Sequence, residues 1–191
     1  MGPRAPSGAL FSSAISNDKT DLQQGNQFIL EQVGQTEGSC GLLFVRPSDD
    51  PSAIEPLLDN PRVVGFKVYL FFSGQSDPYE ADVETFLPEW VWESAQSRGL
   101  VILLHLAKAE AIADPANQSY IIDHCRRYSQ AKLILAHCAR SFAAVNALEG
   151  IPKLRGLENL FFDMSAICEP YPIEQILKLF GPTRLMYGSD F

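Results

Sequence analysis

The feature that most constrains this chain is repeated six times: a short, continuously apolar run that closes on a charged or titratable residue. Residues 41–45 lead into Arg46, 63–66 into Lys67, 100–104 into His105, 133–136 into His137, 160–162 into Asp163 and 185–189 into Asp190. Runs this short that do not alternate with polar residues read as strands buried on both faces. Between them lie segments with apolar residues at helical spacing, over 26–35, 52–59, 83–98, 118–128, 142–148 and 173–180. In the third of these the stripe is Val83, Phe86, Leu87, Trp90, Val91 and Ala95, with Gly99 placed to end the helix. Strands alternating with helices build βαβ units around a parallel sheet. No Gly-x-Gly-x-x-Gly follows any strand, which counts against a dinucleotide-binding sheet. In a (β/α) barrel the carboxyl ends of all strands gather at one mouth, and there the six terminal residues would become neighbours.

With 191 residues the chain is long enough for one domain with a sizeable core. Residues 1–25 are rich in Gly, Ser, Asn and Asp without a sustained period, so they are expected to form a flexible arm preceding a barrel domain over 26–191. Lys and Arg total 15 against 23 Asp and Glu, a net charge of -8 that repels phosphate backbones and argues against a nucleic-acid partner. No stretch approaches the roughly 18 apolar residues of a membrane span. The N-terminus also lacks the apolar core of a secretory leader. The expectation is a soluble, cytoplasmic protein with no membrane partner. Cys40, Cys125, Cys138 and Cys168 are spaced too widely and irregularly for a disulfide framework or a zinc knuckle, and read as reduced thiols.

Two of the three histidines, His105 and His137, end successive strands, and Asp190 takes the equivalent place on the last. Imidazole and carboxylate are the ligands that zinc and related divalent ions accept, so this pattern points to a metal site. Val-Ile-Leu-Leu-His105, Leu-Ile-Leu-Ala-His137-Cys-Ala-Arg140 and Leu-Met-Tyr-Gly-Ser-Asp190-Phe resemble strands 5, 6 and 8 of the amidohydrolase superfamily. They are most similar to its amidohydrolase-related branch of metal-dependent hydrolases and nonoxidative decarboxylases. Gly65-Phe66-Lys67 and Asn159-Leu-Phe-Phe-Asp163 resemble the fourth and seventh strands, so the likeness covers about residues 40–191.

The resemblance implies roles. His105 would be a metal ligand or would face the metal. Asp190 would bind the metal, a divalent ion for which Zn2+ is the first expectation, and act as base toward the attacking water. His137 would orient that water or stabilise negative charge on the substrate. Lys67 would be a cation near the substrate, or in two-metal relatives a carbamylated bridging ligand, and Arg140 would hold a substrate carboxylate. The family begins with a strand ending in His-x-His, and no histidine precedes His105 here. Counted back from Asp190, the strands correspond to the third through the eighth of a TIM barrel that takes about 250 residues, with the first two missing. The expected fold is therefore α/β, a partial (β/α)8 barrel, and the expected function is hydrolysis of a small organic substrate by an incomplete member. Decarboxylation of an aromatic or unsaturated acid is the nearest alternative, and a non-catalytic barrel remnant the third. Missing strands would leave apolar sheet edges that favour a homo-oligomer.

Overall fold

The computed structural model describes residues 8–13, 19–140 and 143–190. Seven parallel strands form one curled sheet in sequence order: β1 (Leu10–Phe11), β2 (Cys40–Phe44), β3 (Val63–Val68), β4 (Val101–Leu104), β5 (Lys132–Leu135), β6 (Leu160–Asp163) and β7 (Leu185–Met186). Helices α1 (Leu22–Gln35), α2 (Pro51–Ile54), α3 (Glu89–Arg98), α4 (Pro115–Arg127), α5 (Ala144–Gly150) and α6 (Pro170–Phe180) connect them. This is the expected α/β architecture, part of a (β/α) barrel.

Side chains alternate across the sheet, as the pleat requires. Phe66, Val68, Ile102, Leu104, Leu133, Leu135, Leu160 and Phe162 point outward into a continuous core with the helices, which adds Trp92, Ile121, Ile151 and Ile176. The intervening positions face the concave side. Register is set sharply at one point: a Cβ on Gly65 would lie 1.9 Å from the Val101 carbonyl oxygen, so only glycine lets β3 and β4 approach. That approach pairs Gly65 with Val101 and Lys67 with Leu103.

Four expectations are corrected in detail. The first strand in the structure, β1, falls within residues 1–25, which read as a flexible arm; Ala9 accepts the Cys40 N–H at 2.9 Å and donates to Ser39 Oγ at 3.0 Å. A two-residue strand has no period to read. Residues 1–7 and 14–18 of that arm lie outside the described residues. The helix expected at 26 starts at Leu22, where Asp21 caps it by accepting the Gln24 N–H at 3.1 Å. The helix expected over 83–98 begins only at Glu89. Pro88 lacks the N–H and disfavours helical geometry in Leu87, so Val83–Thr85 forms a separate 3-10 turn. Its end is as expected, with Gly99 left-handed at φ 67°. The helix expected at 118 starts at Pro115, capped by Asp114. Among the described residues no helix is long and apolar enough to cross a membrane.

Candidate active site

At the carboxyl ends of the strands the sheet curls around a cavity of about 420 Å3. Five of the seven strands line its wall, with Leu10 and Phe11 from β1, Phe44 from β2, Lys67 from β3, Leu103 from β4 and Asp163 from β6, and the loops past β5 and β7 add Ala136, His137, Ser189 and Asp190. Two-residue periodicity carries the wall beyond the strand ends, since Tyr69 follows Lys67, His105 follows Leu103, and Ser165 follows Asp163 on the same side.

Lys67 is 8% exposed, with Nζ 5.6 Å from the centre of the Tyr69 ring. Burial pulls its pKa down to about 8, although the nearby carboxylates of Asp163 and Asp190 act in the opposite direction. His105 packs 5.1 Å from Tyr69 and 4.9 Å from His137, ring centre to ring centre. Burial above all, followed by the electrostatic influence of Lys67, His137 and Arg140, lowers its pKa to about 2, so it is a neutral imidazole at physiological pH.

His137 is 5% exposed and opens a turn unlike anything the sequence announces. His137, Cys138, Ala139 and Arg140 are all left-handed, with φ of 56°, 49°, 64° and 55°. For residues other than glycine this costs on the order of 1–2 kcal/mol each. Partly buried hydrogen bonds hold the turn in place. The Asp163 carboxylate accepts the His137 N–H at 3.2 Å and the Ser165 N–H at 2.9 Å. The Ser165 hydroxyl also donates to it. At the far end the Arg140 guanidinium donates to the Ala107 carbonyl at 3.0 Å and to that of Lys108.

The structure thus brings Lys67, His105, His137 and Asp190 to one cavity and keeps Arg140 from its wall, tying it instead to the loop after β4. Arg46 pairs with Asp49 at 3.0 Å, away from the cavity. His124 is a packing residue, stacked 3.8 Å from Tyr120 with its Nδ1 2.9 Å from the Tyr120 carbonyl. Trp92 is fully buried and donates to the Tyr120 hydroxyl at 2.9 Å, and Trp90 packs edge-on against Phe66. Cys138 is a buried filler whose thiol pKa burial pushes up to about 12, the wrong direction for a nucleophile. Tyr69 and Ser165 are among the cavity residues that sequence reasoning passed over. Their only signal is position, two residues past Lys67 and Asp163.

A neutral imidazole at His105 and a carboxylate at Asp190 are donors of the type a divalent ion takes. They are two, however, where a catalytic zinc takes three protein ligands. Among the described residues no three His, Cys, Asp or Glu side chains converge as a ligand set.

The comparisons agree with this architecture. The fold matches a zinc-containing amidohydrolase from Burkholderia multivorans at a TM-score of 0.60 and 19% identity, over 88% of this chain and 64% of that one. It matches 5-carboxyvanillate decarboxylase from Sphingomonas paucimobilis at 0.59 and 17%, over 89% and 62%. A dihydroxybenzoic acid decarboxylase from a Polaromonas species, solved with manganese and the inhibitor 2-nitroresorcinol, matches at 0.58 and 16%, over 89% and 64%. The chain thus spans less than two thirds of the length of these structures, and at such identities the likeness is one of fold. Divalent metals occur in this group, zinc in one structure and manganese in another. No curated protein sequence matches the chain. The amidohydrolase family model matches residues 14–191, nearly the whole length, and the chain belongs to that family.

Proposed function

We propose that this chain carries one side of an amidohydrolase-type active site that hydrolyses a small organic anion. The observation that carries the reading is the single cavity into which Lys67, His105, His137 and Asp190 all open at the strand ends, where barrel enzymes place their chemistry. At about 420 Å3 it suits a molecule of roughly one ring. Lys67, with its pKa near 8, is mostly protonated at neutral pH and attracts a carboxylate. His137 stands where it can hold or pass a proton beside the substrate, and Asp190 where it can take one from water. His105 and Asp190 would hold a divalent ion as part of its ligand set, zinc being the first candidate. When bound, such an ion makes a nucleophile available at neutral pH and polarises a carbonyl.

Decarboxylation on the same scaffold is the second reading, favoured by the decarboxylases among the structural neighbours. Here His137 would deliver the proton to the carbon that loses carbon dioxide. The test is a screen of the purified chain, supplied with Zn2+ or Mn2+, against cyclic esters, amides and aromatic carboxylic acids, with metal content measured in parallel. Water-derived product supports hydrolysis, and carbon dioxide release supports the second reading. Either activity should vanish in His137→Ala and Asp190→Asn. A chain that retains no divalent ion and turns over none of these compounds is the outcome that sinks the enzyme reading, leaving a non-catalytic barrel.

A further inference from the structure

We infer that Asp163 and Ser165, at the exit of β6, are positioning residues that fix the tautomers of His137 and, through it, of His105. The hydrogen-bond partners determine the direction of each proton. His137 Nδ1 lies 3.1 Å from the Ser165 carbonyl oxygen, which can only accept. It also lies 2.9 Å from Ser165 Oγ, whose one proton is directed to the Asp163 carboxylate, so that oxygen accepts as well. In its neutral form His137 therefore carries its proton on Nδ1, and its Nε2 presents a lone pair. That lone pair faces His105 Nδ1 at 3.0 Å, so His105 must be the donor there. His105 in turn is left with an unprotonated Nε2, the form in which an imidazole accepts a proton or a metal.

The same two residues fix the backbone that carries the ring. One Asp163 oxygen accepts the His137 N–H, the Ser165 N–H and the Ser165 hydroxyl, joining the end of β6 to the left-handed turn after β5. Ser165 is 5% exposed and His137 equally buried, so water offers no substitute partner. Without this anchor neither the strained turn nor the ring orientation has a local reason to persist. The pair thus acts on the reaction through His137.

This inference deepens the reading above and rests on it for the meaning of the site, yet its test is independent of turnover. Histidine tautomers can be read from long-range 1H–15N correlation spectra of the 15N-histidine-labelled chain, without metal or substrate, at a pH above the ordinary histidine range. With three histidines, His124→Gln and His105→Asn assign the rings. The expected result is Nδ1–H for both His137 and His105, against the Nε2–H form that an unconstrained imidazole favours. Ser165→Ala and Asp163→Asn should each move part of the His137 population to Nε2–H, and the His105 signal should follow. An Nε2–H His137 in the parent chain overturns the inference, whether or not any variant folds. So do folded variants whose two tautomers match the parent. A failed substrate screen, by contrast, bears on the reaction and leaves the tautomers as they are.

Discussion

The cavity is built by two regions of unequal construction. Its central wall, β3 to β6, is held by ladders of three or four residue pairs, and its histidines and lysine are buried or nearly so. Its margins rest on β1 and β7, each paired through only two residues, and Asp190 beyond β7 is exposed. Strand pairing and burial lock Lys67, His105 and His137 before any ligand arrives. Asp190 is delivered by a short edge with little of either. The difference teaches that substitutions in the centre should register in folding, and those at the margin mainly in chemistry.

The strongest way to break this contrast is Gly65→Ala. A methyl group 1.9 Å from the Val101 carbonyl must separate β3 from β4, with an expected loss of roughly 3 kcal/mol or more, read by urea denaturation. Gly188→Ala at the margin, where the added carbon would meet Ser165 Cβ at 3.0 Å, should cost distinctly less. Equal losses would show that the margin is as tightly built as the centre.

Lys67→Met should sharpen the contrast in the opposite direction, by stabilising the chain. The folded pKa of Lys67 lies near 8 against an ordinary 10.5, so between those values the unfolded chain binds the extra proton and stability rises with pH. Below about pH 8 the full cost of the buried charge is present, at most about 3 kcal/mol at 1.36 kcal/mol per pKa unit. The variant should be more stable at pH 7, with the difference closing toward pH 10.5, while affinity for carboxylates falls. A pH-independent difference would show that Lys67 is not the buried cation described here.

Asp190→Asn should leave the denaturation curve within about 0.5 kcal/mol of the parent. On any compound the chain turns over, it should lower the rate roughly 100-fold or more. A large stability loss would mean that the margin is structural after all. The smallest effect is expected from Arg46→Ala, which removes an ion pair from a side chain 43% exposed and should cost no more than about 1 kcal/mol.

Much of this was legible because it is local. Apolar runs ended by Lys67, His105, His137 and Asp190 marked both the strands and the cavity wall, since an inward-facing polar residue at a strand end is a consequence of period and order alone. Where local pattern does not reach, the deciding interaction lies elsewhere in the chain. Arg140 follows His137 closely enough to look like a substrate cation, yet a left-handed turn swings it onto the Ala107 and Lys108 carbonyls. Ser165 carries no local signal, and only the pairing of β5 with β6 places it 2.9 Å from His137.

By itself the sequence determined the alternation of strands and helices, the parallel barrel class, the end of α3 at Gly99 and the identity of the groups that meet at the mouth. These depend on periodicity, on the conformational freedom of glycine and on which side chains tolerate burial, all properties of short stretches. The tertiary structure alone decided that β1 adds to the sheet, that four consecutive left-handed residues follow β5, and which groups face the imidazole nitrogens of His137. Those outcomes depend on hydrogen bonds between residues some 26 to 32 positions apart, and no local pattern specifies which distant donor will face which acceptor until the sheet has curled.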